Sequence, residues 1–427
     1  MALDGVWICE LQPIVASPRR PKIGLVVPHL TEAGGVSTLA RFVKDAILSV
    51  GSYDLHIVSL STAVRDPCNA SITRPATWGR GAITSHGTWE GLPIVHVGAI
   101  AGELEFQRFR PRRVLAESLD GCDIVQVVSG VPAWANAVHG LNKPVAVQSA
   151  TLISVERRRL DAEPSLSRAW WQRAMAKVIE RYDRRALRTV DAIQVYNPWM
   201  LELARELNVG RSVDIRYAPP GIDAEAFRPA KLRALDVDPY VLCVGRLNDP
   251  RKNLVLLVES FGRMPEAIRN RVRLVVAGAS PPPESFWRRA ESLAIANRIA
   301  YVAKPSQVDL LDLYQRATAF ALPSHEEGLG VVLLEAMACG VPVVTTRSGG
   351  PEGIVSDWQD GFLVGLDDAA ALAERLTRLC SDPLLNASMG RRARATIEQR
   401  YSKSAAMTPY LEMWDLLLSK RKRHAQP

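Results

Sequence analysis

Short apolar runs alternate with amphipathic stretches along the whole chain. Ile23–Val27 reads as a buried strand, Gly34 and Gly35 follow, and the apolar spacing beyond them predicts a helix near Val36–Val50. Further strands are expected at Leu55–Ser59, Ile94–Val97, Asp123–Val128, Val145–Gln148, Asp191–Tyr196 and Asp214–Ala218. Pro219-Pro220-Gly221 then breaks the pattern. It restarts with a strand at Tyr240–Val244, a helix at Asn253–Met264 and a strand at Leu274–Gly278. A helix at Asp309–Ala317, a strand at Ala319–Leu322, a helix at Gly330–Cys339 and a strand at Val341–Thr345 complete it. Strands alternating with helices imply parallel sheets covered on both faces. The pattern is therefore α/β, with two doubly wound, Rossmann-like domains joined near 219–221. In such sheets ligands bind at the carboxyl ends of the strands, and two such domains place the main cleft between them.

A length of 427 residues suits two domains of roughly 150–200 residues. An apolar fraction of 47% and a charged fraction of 23% allow each a full core. No run of about eighteen apolar residues occurs, so no membrane-spanning helix is expected. Met1–Pro21 lacks a basic stretch followed by a clean apolar one, so it reads as a flexible leader over 1–20 rather than a signal peptide. The six cysteines form no Cys-x-x-Cys pair and read as reduced thiols of a cytoplasmic protein. The net charge of +8 is spread over clusters such as Arg157-Arg158-Arg159 and the basic tail at 419–427. No helix-turn-helix, zinc finger or RNP signature accompanies it, so nucleic acid is not an expected partner. Leu166–Val190 reads as a basic amphipathic helix with Leu166, Trp170, Ala174, Val178, Tyr182, Ala186 and Val190 on one stripe. With the tail, it suggests peripheral contact with an anionic membrane at its inner face.

The densest chemistry is Pro323-Ser324-His325-Glu326-Glu327-Gly328-Leu329-Gly330, running on to Glu335. It leaves an apolar strand and opens a helix. Glu327 and Glu335 stand eight positions apart, about two turns, so both can face one ligand. Gly328 and Gly330 let backbone N–H groups approach an anion at a positive helix end. A carboxylate suits a sugar because it accepts hydrogen bonds from two hydroxyls. In the same half, Gly245 and Arg246 follow a strand, with Lys252 close behind. Asp236-Val237-Asp238 has a spacing that can hold a metal, but it lies in a polar lead-in to a strand and reads as a solvated loop.

The string from Glu327 to Glu335, continued by Ala336-Met337-Ala338-Cys339-Gly340-Val341-Pro342, resembles the Glu-x7-Glu motif of the retaining GT-B glycosyltransferases of family 4, the glycosyl transferases group 1. Val244-Gly245-Arg246-Leu247 with Lys252 is similar to the family's diphosphate element, and Gly34-Gly35-Val36 to its N-terminal glycine loop. Gly349-Gly350 with Glu352 resembles its later glycine pair near the donor sugar. The resemblance implies a GT-B fold with two Rossmann-like domains facing a central cleft. It assigns 21–218 to an acceptor-side domain and 219–400 to a donor domain, with a helix at 401–418 packing back on the first. It also implies a hexosyltransferase of bacterial glycan or glycoconjugate synthesis that moves sugar from a UDP-, GDP- or dTDP-sugar to a hydroxyl acceptor, with retention. Arg246, Lys252 and Glu327 are the expected catalytic residues. Gly34, Gly35, Gly245, Gly328, Leu329, Gly330 and Glu335 are the expected donor contacts, and no metal or other cofactor is implied. The family's His-x-His pair is absent, with Gln126 and Val128 in its place, and Gln148 stands where members often carry another histidine. A glutamine takes no proton near neutral pH. Gln148 and His29 remain the acceptor-side candidates. The alternatives are an inactive partner subunit of the same fold and a glycosyl phosphorylase.

Overall fold

The computed structural model describes residues 19–30, 35–157, 166–230 and 238–424. Most of the expected leader, Gly34, Asp236 and the end of the basic tail lie outside them. So do the side chains of 166–174 and 422–424.

Two sheets carry the fold. The first holds β1 (Lys22–Pro28), β2 (Asp54–Leu60), β3 (Thr84–Trp89), β4 (Leu92–Val97), β5 (Ile124–Val128), β6 (Val145–Ser149), β7 (Ala192–Val195) and β8 (Asp214–Tyr217). Their spatial order is β3-β4-β2-β1-β5-β6-β7-β8. Every neighbour pair is parallel except the hairpin β3–β4. The second sheet holds β9 (Tyr240–Val244), β10 (Arg273–Gly278), β11 (Ile299–Ala303), β12 (Ala319–Leu322), β13 (Val343–Thr346) and β14 (Gly361–Val364), in the order β11-β10-β9-β12-β13-β14. It is parallel throughout. The central strands β1, β5, β9 and β12 are almost wholly buried and mainly apolar, as a sheet covered on both faces requires, with Gln126 of β5 a buried polar exception. β3, β11 and β14 went unread in the sequence. All three are edge strands; β3 is mostly exposed and polar, whereas β11 and β14 are short apolar runs of five and four residues.

In each sheet the connections run outward from the middle in both directions, which creates a switch point between β1 and β5 and another between β9 and β12. The loops leaving the carboxyl ends of these strands are splayed apart there and leave a crevice for ligand.

Two crossings join the sheets. Ile222 N donates to Tyr401 O at 2.7 Å and Lys403 N to Ile222 O at 3.0 Å, so the outgoing and returning chains run side by side. Gly221 is needed there, since a Cβ would stand 2.7 Å from Ser402 O and 2.8 Å from Ala406 Cβ. The returning helix, Lys403–His424, packs on the first sheet and on the helix Gly35–Val50. Tyr410, Met413, Trp414 and Leu417 form its buried stripe, at the spacing of one helical face. Tyr53 Oη donates to Asp415 Oδ1 at 2.6 Å and Trp414 Nε1 to Gln126 Oε1 at 2.9 Å.

The helix Leu166–Thr189 buries Ile179, Asp183, Ala186 and Leu187, one step round from the stripe expected, while Lys177, Arg184, Arg185 and Arg188 face solvent. Asp183 turns inward because its two oxygens accept the Ala133 and Ile153 backbone N–H groups, each at 2.9 Å. In the tail, Arg421 is held 2.7 Å from Asp123 Oδ1 rather than left to a membrane surface. Among the described residues no helix is long and apolar enough to cross a membrane.

Candidate active site

The loop leaving β9 is built tightly. Gly245 N donates to Ala277 O at 3.0 Å, and Gly278 faces it closely enough that a Cβ would clash with Gly245 O at 2.2 Å. Asp249 caps the short turn Pro250–Lys252 by accepting Arg251 N at 3.0 Å. The Asp249 carboxylate also takes both Arg251 Nη2, at 2.8 Å, and Arg246 Nη2, at 3.0 Å. Burial raises the Asp249 carboxyl, but the Arg251 and Arg246 cations hold it below the usual carboxylate range. Arg246 keeps 69% of its side chain exposed, so its guanidinium is free to swing onto a ligand.

The loop leaving β12 meets it. Lys252 Nζ lies 2.5 Å from Glu327 Oε1, and Ser324 Oγ donates to the same oxygen at 2.6 Å. The Glu327 backbone is fixed on both sides: its N–H donates to Ser348 O and its carbonyl accepts Gly350 N, each at 2.8 Å. Gly330 then turns the chain with φ 89° and starts the helix Val331–Ala338, whose N-terminus is a positive dipole end.

These groups surround a cavity of about 230 Å³ between the two sheets. The second sheet contributes Arg246, Arg251, Lys252, Glu326, Glu327 and the 328–331 turn. The first contributes Gly35, Thr151, Glu156 and Tyr196. Three polar contacts tie the sheets together around it. Arg251 Nη1 lies 3.3 Å from Glu156 Oε1, Thr151 Oγ1 donates to Glu326 Oε1 at 3.4 Å, and Asn197 Nδ2 donates to Gly328 O at 2.7 Å. Burial pushes the Glu326 carboxyl up, against the pull of Arg251. A larger groove of about 760 Å³ beside the C-terminal helix holds none of the motif residues.

The structure therefore brings together Arg246, Lys252, Glu327, Gly328, Leu329, Gly330 and Gly35, while Gly245 sits immediately behind Lys252. Three expected site residues do not line this cavity. Gln148 is fully buried and donates to the Tyr410 hydroxyl of the C-terminal helix, away from the cavity lining. Its side chain points to the sheet face that the returning helix covers. His29 is exposed at φ 54° and does not line the cavity. Glu335 also lies off the cavity wall, one turn deeper, where Tyr314 Oη donates to its Oε2 at 2.6 Å. Sequence reasoning missed Arg251, Glu326, Thr151, Glu156, Tyr196 and Asn197. Arg251 and Glu326 adjoin motif residues and were open to suspicion. The other four come from the first sheet and carry no local signal.

Residues 225–396 match the family described as glycosyl transferases group 1. A GDP-mannose-dependent α-(1-6)-phosphatidylinositol monomannoside mannosyltransferase from Mycolicibacterium smegmatis is 35% identical over 199 residues, covering 42% of this chain and 51% of that protein. A D-inositol 3-phosphate glycosyltransferase from Mycobacterium leprae is 30% identical over 305 residues, covering 68% of this chain and 64% of that protein. The matched stretches thus span between about half and two thirds of these relatives' lengths. A solved structure of Anabaena HepE in complex with UDP-glucose superposes with a TM-score of 0.65 at 15% identity, covering 92% of this chain and 99% of that one, and shares the GT-B fold. The match to the glycosyl transferases group 1 thus falls on the half of the chain built on the second sheet, and the two Rossmann-like sheets together share the GT-B fold.

Proposed function

We propose that this protein transfers a hexosyl unit from a nucleoside diphosphate sugar to a hydroxyl acceptor, with retention of configuration. The observation that carries the reading is the convergence of Arg246, Lys252, Glu327 and the N-terminus of the helix Val331–Ala338 on one interdomain cavity. Two cations and a helix dipole suit a departing diphosphate, because fixed charges need no reorganisation as the leaving group forms. On donor binding Lys252 exchanges its bond to Glu327 for one to phosphate. Glu327 is then free to accept hydrogen bonds from sugar hydroxyls. Arg246, exposed and hinged on Asp249, closes over the phosphates.

Glu327 is engaged by Lys252 and Ser324, which disfavours it as a covalent nucleophile. The route that suits the site is front-face attack, in which the acceptor hydroxyl enters on the leaving-group side and a donor phosphate oxygen takes its proton. Arg246 and Lys252 supply the positive charge that a metal would otherwise bring to the diphosphate. Thr151, Glu156 and Tyr196 line the cavity from the first sheet and are the acceptor-side wall.

The relatives' names make GDP-mannose the first donor to try, followed by UDP- and dTDP-sugars. A thermal-shift series with GDP, UDP, dTDP and their sugars identifies the base: a ligand at about a hundred times its Kd adds about 2.7 kcal/mol of stability. Release of free nucleotide on adding acceptor then separates a transferase from an inactive partner subunit. Stabilisation by no nucleotide, or binding without turnover on any acceptor, overturns the proposal.

A further inference from the structure

Well away from the Glu327 loop in sequence, three residues of different chemistry converge in the first sheet. Asp66 and Cys68 lie in the irregular segment after β2, and His96 is the penultimate residue of β4. A carboxylate oxygen of Asp66, the Cys68 sulfur and a His96 ring nitrogen all lie within 4.8 Å of one another. Cys68 is buried, while the side chains of Asp66 and His96 keep 12% and 23% exposure, which leaves an entry path from solvent.

We propose that Asp66, Cys68 and His96 form a zinc site that fastens the segment 61–83 to the sheet. The donor set decides the metal. A thiolate, an imidazole and a carboxylate together favour a borderline-soft ion of tetrahedral habit, whereas calcium and magnesium would need oxygen ligands only. Bond lengths of such a site imply ligand atoms roughly 3.3–3.6 Å apart, so an ion needs shifts of only about an ångström. His96 Nε2 and Asp66 Oδ2 stand 2.7 Å apart, bridged by a proton that zinc would replace.

The surroundings support the ligands as a metal site's outer contacts should. His96 Nδ1 lies 3.2 Å from Ser59 Oγ, a contact that orients the ring with Nε2 toward Asp66. Asp66 Oδ1 accepts Cys68 N at 2.9 Å, which leaves Oδ2 to coordinate. The Cys68 backbone is pinned from two sides: Ile83 N donates to its carbonyl at 3.0 Å, and the end of β4 crosses so closely that a Cβ on Gly98 would stand 1.9 Å from that oxygen. A frame held this firmly presents its ligands without further ordering. The arrangement does not suit a catalytic thiol, because both His96 nitrogens face Ser59 and Asp66 and the Cys68 thiol donates to Ser85 Oγ at 3.4 Å. Three protein ligands leave the fourth position to water.

The test uses the full chain, stripped with a chelator, re-equilibrated with Zn²⁺ alone and desalted. Elemental analysis should find one zinc per chain in the wild type and none in Cys68→Ser or His96→Gln. Circular dichroism and the melting profile report whether each variant is folded. Co²⁺ in place of Zn²⁺ should give a thiolate charge-transfer band that Cys68→Ser abolishes. Zinc should also raise the wild-type melting temperature and leave that of Cys68→Ser unchanged. A wild type that retains no zinc, or a folded Cys68→Ser that retains as much as the wild type, overturns the proposal. Should His96→Gln fail to fold, Cys68→Ser and the cobalt band decide it. Because these readouts need no sugar transfer, they stand apart from the fate of the proposed activity.

Discussion

Lys252 Nζ lies 2.5 Å from Glu327 Oε1, and the two side chains come from the loops that leave β9 and β12, the strands flanking the second sheet's switch point. The pair is a latch between the loop that should hold phosphate and the loop that should hold sugar. Each side chain holds the other in place in the free protein.

Removing either cation should therefore slow the chemical step. Lys252→Ala and Arg246→Ala are each expected to lower kcat by about 10²–10³, the typical loss of one preorganised charge-stabilising group. Their stabilities should differ. Arg246 is 69% exposed, and its loss should change stability by less than about 0.5 kcal/mol. Lys252→Ala leaves the mostly buried Glu327 without its cation and should lower the melting temperature measurably. Turnover close to wild type in both variants would remove the phosphate assignment.

Glu327 and Glu335 should differ in kind. A contact at the reacting sugar can strengthen in the transition state, whereas a contact at the remote ribose serves ground and transition states alike. We assign Glu335, one turn behind the cavity wall and held by Tyr314, to the ribose, which it reaches by giving up that hydroxyl; Glu327→Gln should then mainly reduce kcat, and Glu335→Gln should mainly raise KM for the donor. Steady-state kinetics with varied donor separates them. An unchanged KM and nucleotide affinity in Glu335→Gln would refute the ribose role.

The pH response should belong to Glu335. Burial pushes its carboxyl up to about 7, and the Tyr314 hydroxyl only partly opposes this. A carboxyl raised in the fold stabilises the free protein fully below its unfolded value of roughly 4.3, and that contribution is lost as pH rises through about 7. Ribose hydroxyls are donors and prefer the carboxylate, so affinity for the nucleotide sugar should strengthen as pH rises through about 7. Isothermal titration at several pH values should show this in the wild type and a flat profile in Glu335→Gln. The same slope in both would place the titrating group elsewhere.

Closure of the cleft depends on a backbone approach. A Cβ on Gly328 would stand 2.8 Å from Ala150 Cβ, and Asn197 Nδ2 donates to Gly328 O at 2.7 Å. Gly328→Ala should force the two sheets apart at a cost of about 1–3 kcal/mol. The melting temperature and kcat/KM should fall together. Ala150→Gly added to it should restore much of both, since it removes the atom that clashes. No rescue in the double variant would mean that Gly328 is required for another reason.

The sequence by itself determined the two sheets' buried central strands, because a strand covered on both faces must be a continuous apolar run. It also marked the second sheet's share of the candidate site. The resemblance marked Gly245–Lys252 and Pro323–Gly330, short loops leaving the adjacent strands β9 and β12, and the pairing of those strands brings Lys252 and Glu327 together. What it left undecided lies across the cleft. Thr151, Glu156, Tyr196 and Asn197 come from three separate loops and helices of the first sheet, and nothing in their local sequence marks them. Gln148 shows the same limit from the other side. Its position at the end of β6 suggested a cleft residue, but strand residues alternate faces, and the returning helix with Tyr410 claimed that face. The convergence of Asp66, Cys68 and His96 was likewise set by how the 61–83 segment folds back on β4, since thirty positions separate Asp66 from His96 in the chain. Strand identity follows from local apolar pattern, whereas the meeting of side chains from distant segments is decided by the packing of whole elements.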